Sequence, residues 1–164
     1  MSNVTIQLGI DAGNGAFKLF GTQGTLEYVS QVATNGGQKV MSTLGLRKSK
    51  APMQITNESG SFYVGANAHD HGRPVENLDV DRFNGSPEMR VLFHGSLTQY
   101  QRRYGKFDSA ISLTAGLPNE ILTGDSAEKN VETVKHWMKG THSWSADGEQ
   151  FSVDVAEVKV ASQV

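Results

Sequence analysis

Apolar and polar residues alternate through Val4-Thr5-Ile6-Gln7-Leu8-Gly9-Ile10, and this period of two predicts a β-strand. Ala16-Phe17-Lys18-Leu19-Phe20 alternates again and reads as a returning strand, with the turn between them. Gly21-Thr22-Gln23-Gly24 is a second turn, and residues 25–32 alternate as a third strand. An antiparallel three-stranded meander therefore opens the chain. Met53-Gln54-Ile55-Thr56 and Ser61-Phe62-Tyr63-Val64 flank Asn57-Glu58-Ser59-Gly60 as a hairpin.

The period then changes. Ser86-Pro87-Glu88 combines an N-cap serine, a proline at the first helical position and an acid in the first turn. Met89, Phe93, Leu97, Tyr100 and Tyr104 share one helical face, and Gly105 stops the helix. Such an aromatic stripe reads first as core. Residues 110–115 form a short apolar strand stopped by Gly116-Leu117-Pro118. A second helix over 126–139 turns Ala127, Val131, Val134 and Met138 inward and ends at Gly140. Residues 141–145 and 150–155 form a hairpin around Asp147-Gly148, and residues 157–160 are a last short strand. Helices between strands permit parallel crossovers, so the expected fold is α/β with a mixed sheet and flanking helices.

Two stretches carry no periodicity. Residues 34–52, with Gly36-Gly37 and the basic residues Arg47, Lys48 and Lys50, read as an exposed connection. Residues 65–85 are polar and irregular. Within them His69-Asp70-His71 could seed a metal site, but no third ligand stands out by spacing, and exposed loop histidines are the simpler reading.

Composition narrows the classes. The 164 residues suffice for one domain with a proper core, and 37% hydrophobic with 20% charged residues fits a globular chain. A net charge of −2 implies no general affinity for polyanions, so no direct nucleic-acid partner is expected. The absence of cysteine excludes disulfides, thiolate metal sites and cysteine nucleophiles, and favours a reducing compartment. Neither a signal-peptide pattern nor an apolar run of membrane-spanning length is present, so a cytoplasmic protein without a membrane partner is expected.

The candidate chemistry lies in Ile10-Asp11-Ala12-Gly13-Asn14-Gly15-Ala16-Phe17-Lys18. An acid closes a strand, two glycines make the turn, and a lysine follows. Glycines let backbone N–H groups approach phosphate oxygens, a lysine adds a point charge, and an aspartate can hold Mg²⁺ directly or through water. A dinucleotide fingerprint needs a third glycine where Lys18 stands, and a P-loop needs Gly-Lys-Ser/Thr opening a helix. Neither fits. The element is a strand–turn–strand with Asn14-Gly15 as a tight-hairpin pair, and such hairpins commonly bind nothing.

The order of elements, with this hairpin at its start, resembles the first domain of the ParM-like actins within the actin, Hsp70 and sugar-kinase superfamily, whose domains have a ribonuclease H-like core. Residues 11–18 look like that group's first phosphate motif, and Tyr63-Val64-Gly65-Ala66-Asn67-Ala68 resembles its Tyr-x-Val-Gly-x-x-Ala segment. Thr114-Ala115-Gly116-Leu117-Pro118 looks like its Gly-Leu-Pro strand end, and Val158-Lys159-Val160-Ala161-Ser162-Gln163 resembles the strand entering the interdomain helix. The resemblance implies ATP and Mg²⁺ as cofactors. Asp11 would organise the metal through water. Gly13, Asn14 and Gly15 would offer amide donors, Lys18 would contact the phosphates, and Gln163 would orient the attacking water. It implies a filament-forming ATPase of the DNA-segregation or cytoskeletal type, with itself, nucleotide and a DNA-bound adaptor protein as partners. A non-catalytic partner-binding or filament-capping module of the same fold is the alternative. Residues 1–164 would be the first domain alone. The second domain, with its own Asp-x-Gly loop and the adenosine pocket, would follow Val164, so hydrolysis is expected only of the complete protein.

Overall fold

The computed structural model describes residues 5–34, 51–76 and 79–162. Among these residues ten strands form one sheet: β1 (Ile6–Ala12), β2 (Ala16–Gly21), β3 (Gly24–Val29), β4 (Val32–Thr34), β5 (Met53–Asn57), β6 (Gly60–Val64), β7 (Arg73–Pro74), β8 (Ile111–Leu117), β9 (Gly140–Ala146) and β10 (Glu149–Ser162). Three α-helices accompany them among the described residues: α1 (Pro87–Tyr104), α2 (Asn119–Leu122) and α3 (Ala127–Met138). The strand order is β3-β2-β1-β8-β10-β9-β5-β6-β4-β7. β8 pairs in parallel with β1 and β10, and the other pairs are antiparallel, which is the mixed sheet expected of the chain.

The opening meander is present, but residues 25–32 are not one strand. Gln31 N–H bonds to the carbonyl of Val29 (3.0 Å) and Ser30 N–H to that of Gly15 (2.9 Å), which turns the chain out of β3. The next strand, β4, pairs with β6 and β7 near the opposite end of the strand order. A two-residue link between such distant positions makes the sheet curl around α1, which packs on β2, β3, β4, β5, β6 and β9.

That position explains why α1 is buried beyond its predicted stripe. Met89, Phe93, Leu97 and Tyr100 are buried, and Tyr104 is half-buried with its hydroxyl donating to Thr25 O (2.7 Å). Val91, Leu92, His94, Ser96, Thr98 and Gln101 are buried as well. The buried hydroxyls donate to their own helix, Ser96 to Phe93 O (2.9 Å) and Thr98 to His94 O (2.8 Å), so few polar atoms are left without a partner. Gly95 lets the sheet approach: a Cβ there would stand 2.9 Å from the Tyr28 hydroxyl.

Other boundaries also shift. β8 runs on through Gly116 and Leu117, and the short α2 follows Pro118. Residues 150–155 and 157–160 form the single strand β10, with a register shift between Val155 and Glu157 where antiparallel pairing with β9 hands over to parallel pairing with β8. On α3, Val134 and Met138 are buried as expected, Ala127 and Val131 are half-buried, and Trp137 joins the core. No helix among the described residues is long and apolar enough to cross a membrane.

Candidate functional site

The two faces of the opening strands differ. Leu8, Ile10 and Ala12 of β1 and Phe17 and Leu19 of β2 are buried, whereas Gly9 and Asp11 are half-buried and Lys18 and Phe20 are exposed. Asp11 stands directly opposite Lys18 in the β1–β2 ladder, so the acid and the ammonium share the outer face. Across β1's other side Asp11 pairs with Gly116 of β8, and Gly116 pairs with Ala161 of β10. The carboxyl ends of the three parallel strands thus meet at one edge, the position where open α/β sheets take their ligands. That edge is tied together: the Ser162 hydroxyl donates to Asn119 Oδ1 (2.5 Å), joining the end of β10 to the residue that starts α2.

Gly13, Asn14 and Gly15 form the hairpin tip. Gly13 N–H donates to Ala16 O (3.1 Å). The Ser30 hydroxyl donates to Gly13 O (2.9 Å) and Ser30 N–H to Gly15 O (2.9 Å), so one residue holds both carbonyls. The N–H groups of Asn14 and Gly15 make no backbone hydrogen bond among the described residues. The two glycines have different duties. A Cβ on Gly13 would lie 2.7 Å from Ala16 O, whereas at Gly15 nothing comes within 4 Å. Neither Asn14 nor Gly15 takes a positive φ, so the tip lacks the left-handed geometry of the primed turn that an Asn-Gly pair predicts.

Arg82 supplies the physical reason for part of this. It lies in the 3₁₀ turn Val80–Asn84 that precedes α1, and its Nη2 donates to Asn14 Oδ1 from 68 positions away. Beneath the tip lies a cavity of about 220 Å³, floored by Phe17, Met89 and Leu92 and edged by Asn14, Ser30 and Arg82. It opens on the α1 side of the hairpin, whereas Asp11 and Lys18 point to the other face. This cavity and the candidate phosphate chemistry are therefore back to back, sharing the tip.

Sequence reasoning missed Ser30 and Arg82. For Ser30 a signal was present: strict alternation would have put this hydroxyl inward between Tyr28 and Val32, where a polar residue marks a break. Nothing in the sequence points from Arg82 to Asn14. Gln163, Gly36-Gly37 and the basic residues Arg47, Lys48 and Lys50 lie outside the described residues. His69 and His71 join no group of three metal-binding side chains among the described residues. In the Tyr63–Ala68 segment, Gly65 (φ 87°) is where a Cβ would meet the Tyr28 hydroxyl at 2.7 Å, and its N–H bonds to Gln31 O (2.9 Å).

A second polar cluster centres on the buried His94, with Asn57 and His142 half-buried beside it. Asn57 Nδ2 contacts His94 Nδ1 (3.0 Å), His94 Nε2 contacts His142 Nδ1 (3.0 Å), and His142 Nε2 contacts Met138 O (2.8 Å). One set of neutral tautomers satisfies every link: Asn57 donates to His94, His94 to His142, and His142 to the carbonyl. Burial, reinforced by His142 and by the Arg90 charge, pushes the pKa of His94 down to about 3, and burial also lowers that of His142. His94 stacks on Trp144 (4.5 Å between centroids), so this cluster serves packing.

A search of curated proteins finds no match. Solved structures do match. An apo ParM protein of psk41 superposes with a TM-score of 0.71 at 16% identity, covering 99% of this chain and 50% of that one. The AlfA filament of B. subtilis plasmid pLS32 gives 0.69 at 14% identity, covering 96% and 56%. An AlfA filament bound to AMPPNP gives 0.64 at 15% identity, covering 98% and 55%. The chain thus spans about half the length of these structures, and at such identities the likeness establishes the fold. Residues 9–164 match the family described as the N-terminal domain of actin-like proteins, and the chain belongs to that family.

Proposed function

We propose that this chain is the first, phosphate-binding domain of a filament-forming actin-like ATPase of the plasmid-segregation or cytoskeletal type. The observation that carries the reading is the cross-strand pair of Asp11 and Lys18 beside a thin glycine tip, at the carboxyl edge of the parallel strands. The donor set suits a nucleoside triphosphate with Mg²⁺. Lys18 provides the cation for phosphate oxygens. Asn14 and Gly15 provide backbone N–H groups, and Gly13 and Gly15 keep side chains out of the approach. Asp11 would help hold the metal, and Gln163 would orient the attacking water. When bound, ATP with Mg²⁺ supplies the phosphoryl group and the metal charge that steadies it. The adenosine contacts would come from outside this chain, as its resemblance to two-domain actins implies. Related folds support the reading, since one AlfA structure is a filament bound to AMPPNP.

The test uses the full-length protein that carries this domain. Lys18→Ala is expected to raise the dissociation constant for ATP about tenfold with the melting temperature unchanged, since it removes one charge-assisted contact. Equal affinity in the variant overturns the assignment of the hairpin. A full-length protein that binds no nucleotide at all points instead to the non-catalytic, partner-binding or filament-capping module.

A further inference from the structure

Resting on the reading of the hairpin as a phosphate loop, we infer that Arg82 is a positioning residue that holds the loop's amides in their ligand-ready direction by gripping the Asn14 side chain. An Asn-Gly pair at a hairpin tip prefers left-handed φ at both positions. Here neither residue adopts it, so something outside the pair overrides the local preference. The contacts that do so come from two sides. Ser30 holds the carbonyls of Gly13 and Gly15, and Arg82 Nη2 holds Asn14 Oδ1.

Arg82 is itself presented rigidly. Its guanidinium lies 4.8 Å over the Phe83 ring. The carbonyl of Phe83 accepts the indole N–H of Trp137 on α3 (2.8 Å), and that of Gly85 accepts Nε–H of Arg90 on α1 (2.7 Å). Gly85 sits at φ 101°, with Trp137 atoms 3.1 Å from where a Cβ would be. The segment is thus clamped between two helices, and it delivers a charge-assisted hydrogen bond to the tip from below. The consequence for binding follows from direction. With its side chain tethered on the cavity side, Asn14 leaves its own N–H and that of Gly15 outside the hairpin's bonding. Released, the tip can relax to the primed turn its sequence favours, which re-aims both amides.

The experiment is a double-mutant cycle on ATP affinity in the full-length protein, with Arg82→Ala, Asn14→Gly, the double variant, Arg82→Lys and Trp137→Phe, each with its melting temperature, and Lys18→Ala as the reference. Arg82→Ala and Asn14→Gly, which frees the tip while keeping left-handed φ open to it, are each expected to weaken ATP binding about tenfold, and the double variant no more than either alone. Arg82→Lys keeps one donor and is expected to recover most of the loss. Trp137→Phe keeps an aromatic side chain, though a smaller one, loses the indole N–H, and is expected to weaken binding about threefold; this variant reports on the clamp should Arg82→Ala fail to fold. Effects of Arg82 and Asn14 that multiply, or unchanged affinity in Arg82→Ala, overturn the inference while a loss in Lys18→Ala leaves the phosphate loop standing. Affinity indifferent to Lys18→Ala overturns both.

Discussion

Two hairpins of this chain carry the same turn signal and answer it differently. At Asp147-Gly148, between β9 and β10, both residues are left-handed, with φ of 52° and 84°. At Asn14-Gly15, between β1 and β2, neither is. Both tips are held by distant residues, so tethering alone is not the difference. Asp147 accepts Gln54 N–H (2.9 Å), donates its own N–H to Gln54 O (2.9 Å) and meets Arg102 (3.2 Å). Those contacts agree with the local preference of an Asp-Gly pair. The contacts of Ser30 and Arg82 oppose the preference of Asn-Gly. Where local and tertiary demands conflict in a native chain, the place is expected to be functional. The conflict lies at the candidate phosphate loop.

The largest effect expected is on chemistry. Asp11→Ala in the full-length protein removes the group proposed to orient Mg²⁺, and Mg²⁺-dependent hydrolysis should fall roughly a thousandfold with circular dichroism unchanged. Unaltered turnover would detach the first hairpin from the reaction and leave its geometry unexplained.

Next comes the tip's packing. Gly13→Ala places a Cβ 2.7 Å from the backbone oxygen of Ala16, which cannot yield as a side chain could. Denaturant unfolding should show a loss of about 2 kcal/mol.

Acid probes the other side of the comparison, because β9 carries the half-buried His142 and leads into the 147–148 turn. His94 has a folded pKa lowered to about 3, below its ordinary 6.5, and that of His142 is lowered too. The stability these neutral histidines provide is therefore fully present above pH 6.5 and lost as pH falls toward 3. Between pH 7 and pH 5 the loss from His94 is about 2 kcal/mol. His94→Gln should flatten that slope in urea titrations, and an unchanged slope would contradict the neutral pair.

Gly148→Ala puts a Cβ on a left-handed residue with open space around it, for a cost of about 1 kcal/mol from the backbone alone. A melting temperature equal to the wild type would show that the left-handed turn is not required there.

Much of the fold was legible because it follows from short-range patterns. The meander, the Ser86-Pro87 helix start, the β5–β6 hairpin and the mixed sheet all rest on period, caps and turn residues. The chain break at Ser30-Gln31 was misread because apolar residues continue on both sides of it. The burial of α1 on every side over residues 91–98 was hidden because His94, Ser96 and Thr98 are polar yet satisfied inside, so a wrapped helix looked like a striped one. At the site, Asp11, Gly13, Asn14, Gly15 and Lys18 announce themselves as one contiguous stretch. Ser30 and Arg82 do not, since their contribution exists only once the sheet has curled and brought their segments to the tip.

Gly15→Ala separates the two hairpins most cleanly. Nothing lies within 4 Å of the added Cβ and the backbone there is not left-handed, so the melting temperature should stay where it is. The methyl would instead stand beside the amides proposed to meet phosphate. Calorimetric titration of the full-length variant with ATP and Mg²⁺ should then show affinity reduced at least about tenfold at unchanged stability. Wild-type affinity in a variant of wild-type stability would contradict the claim that this tip binds phosphate.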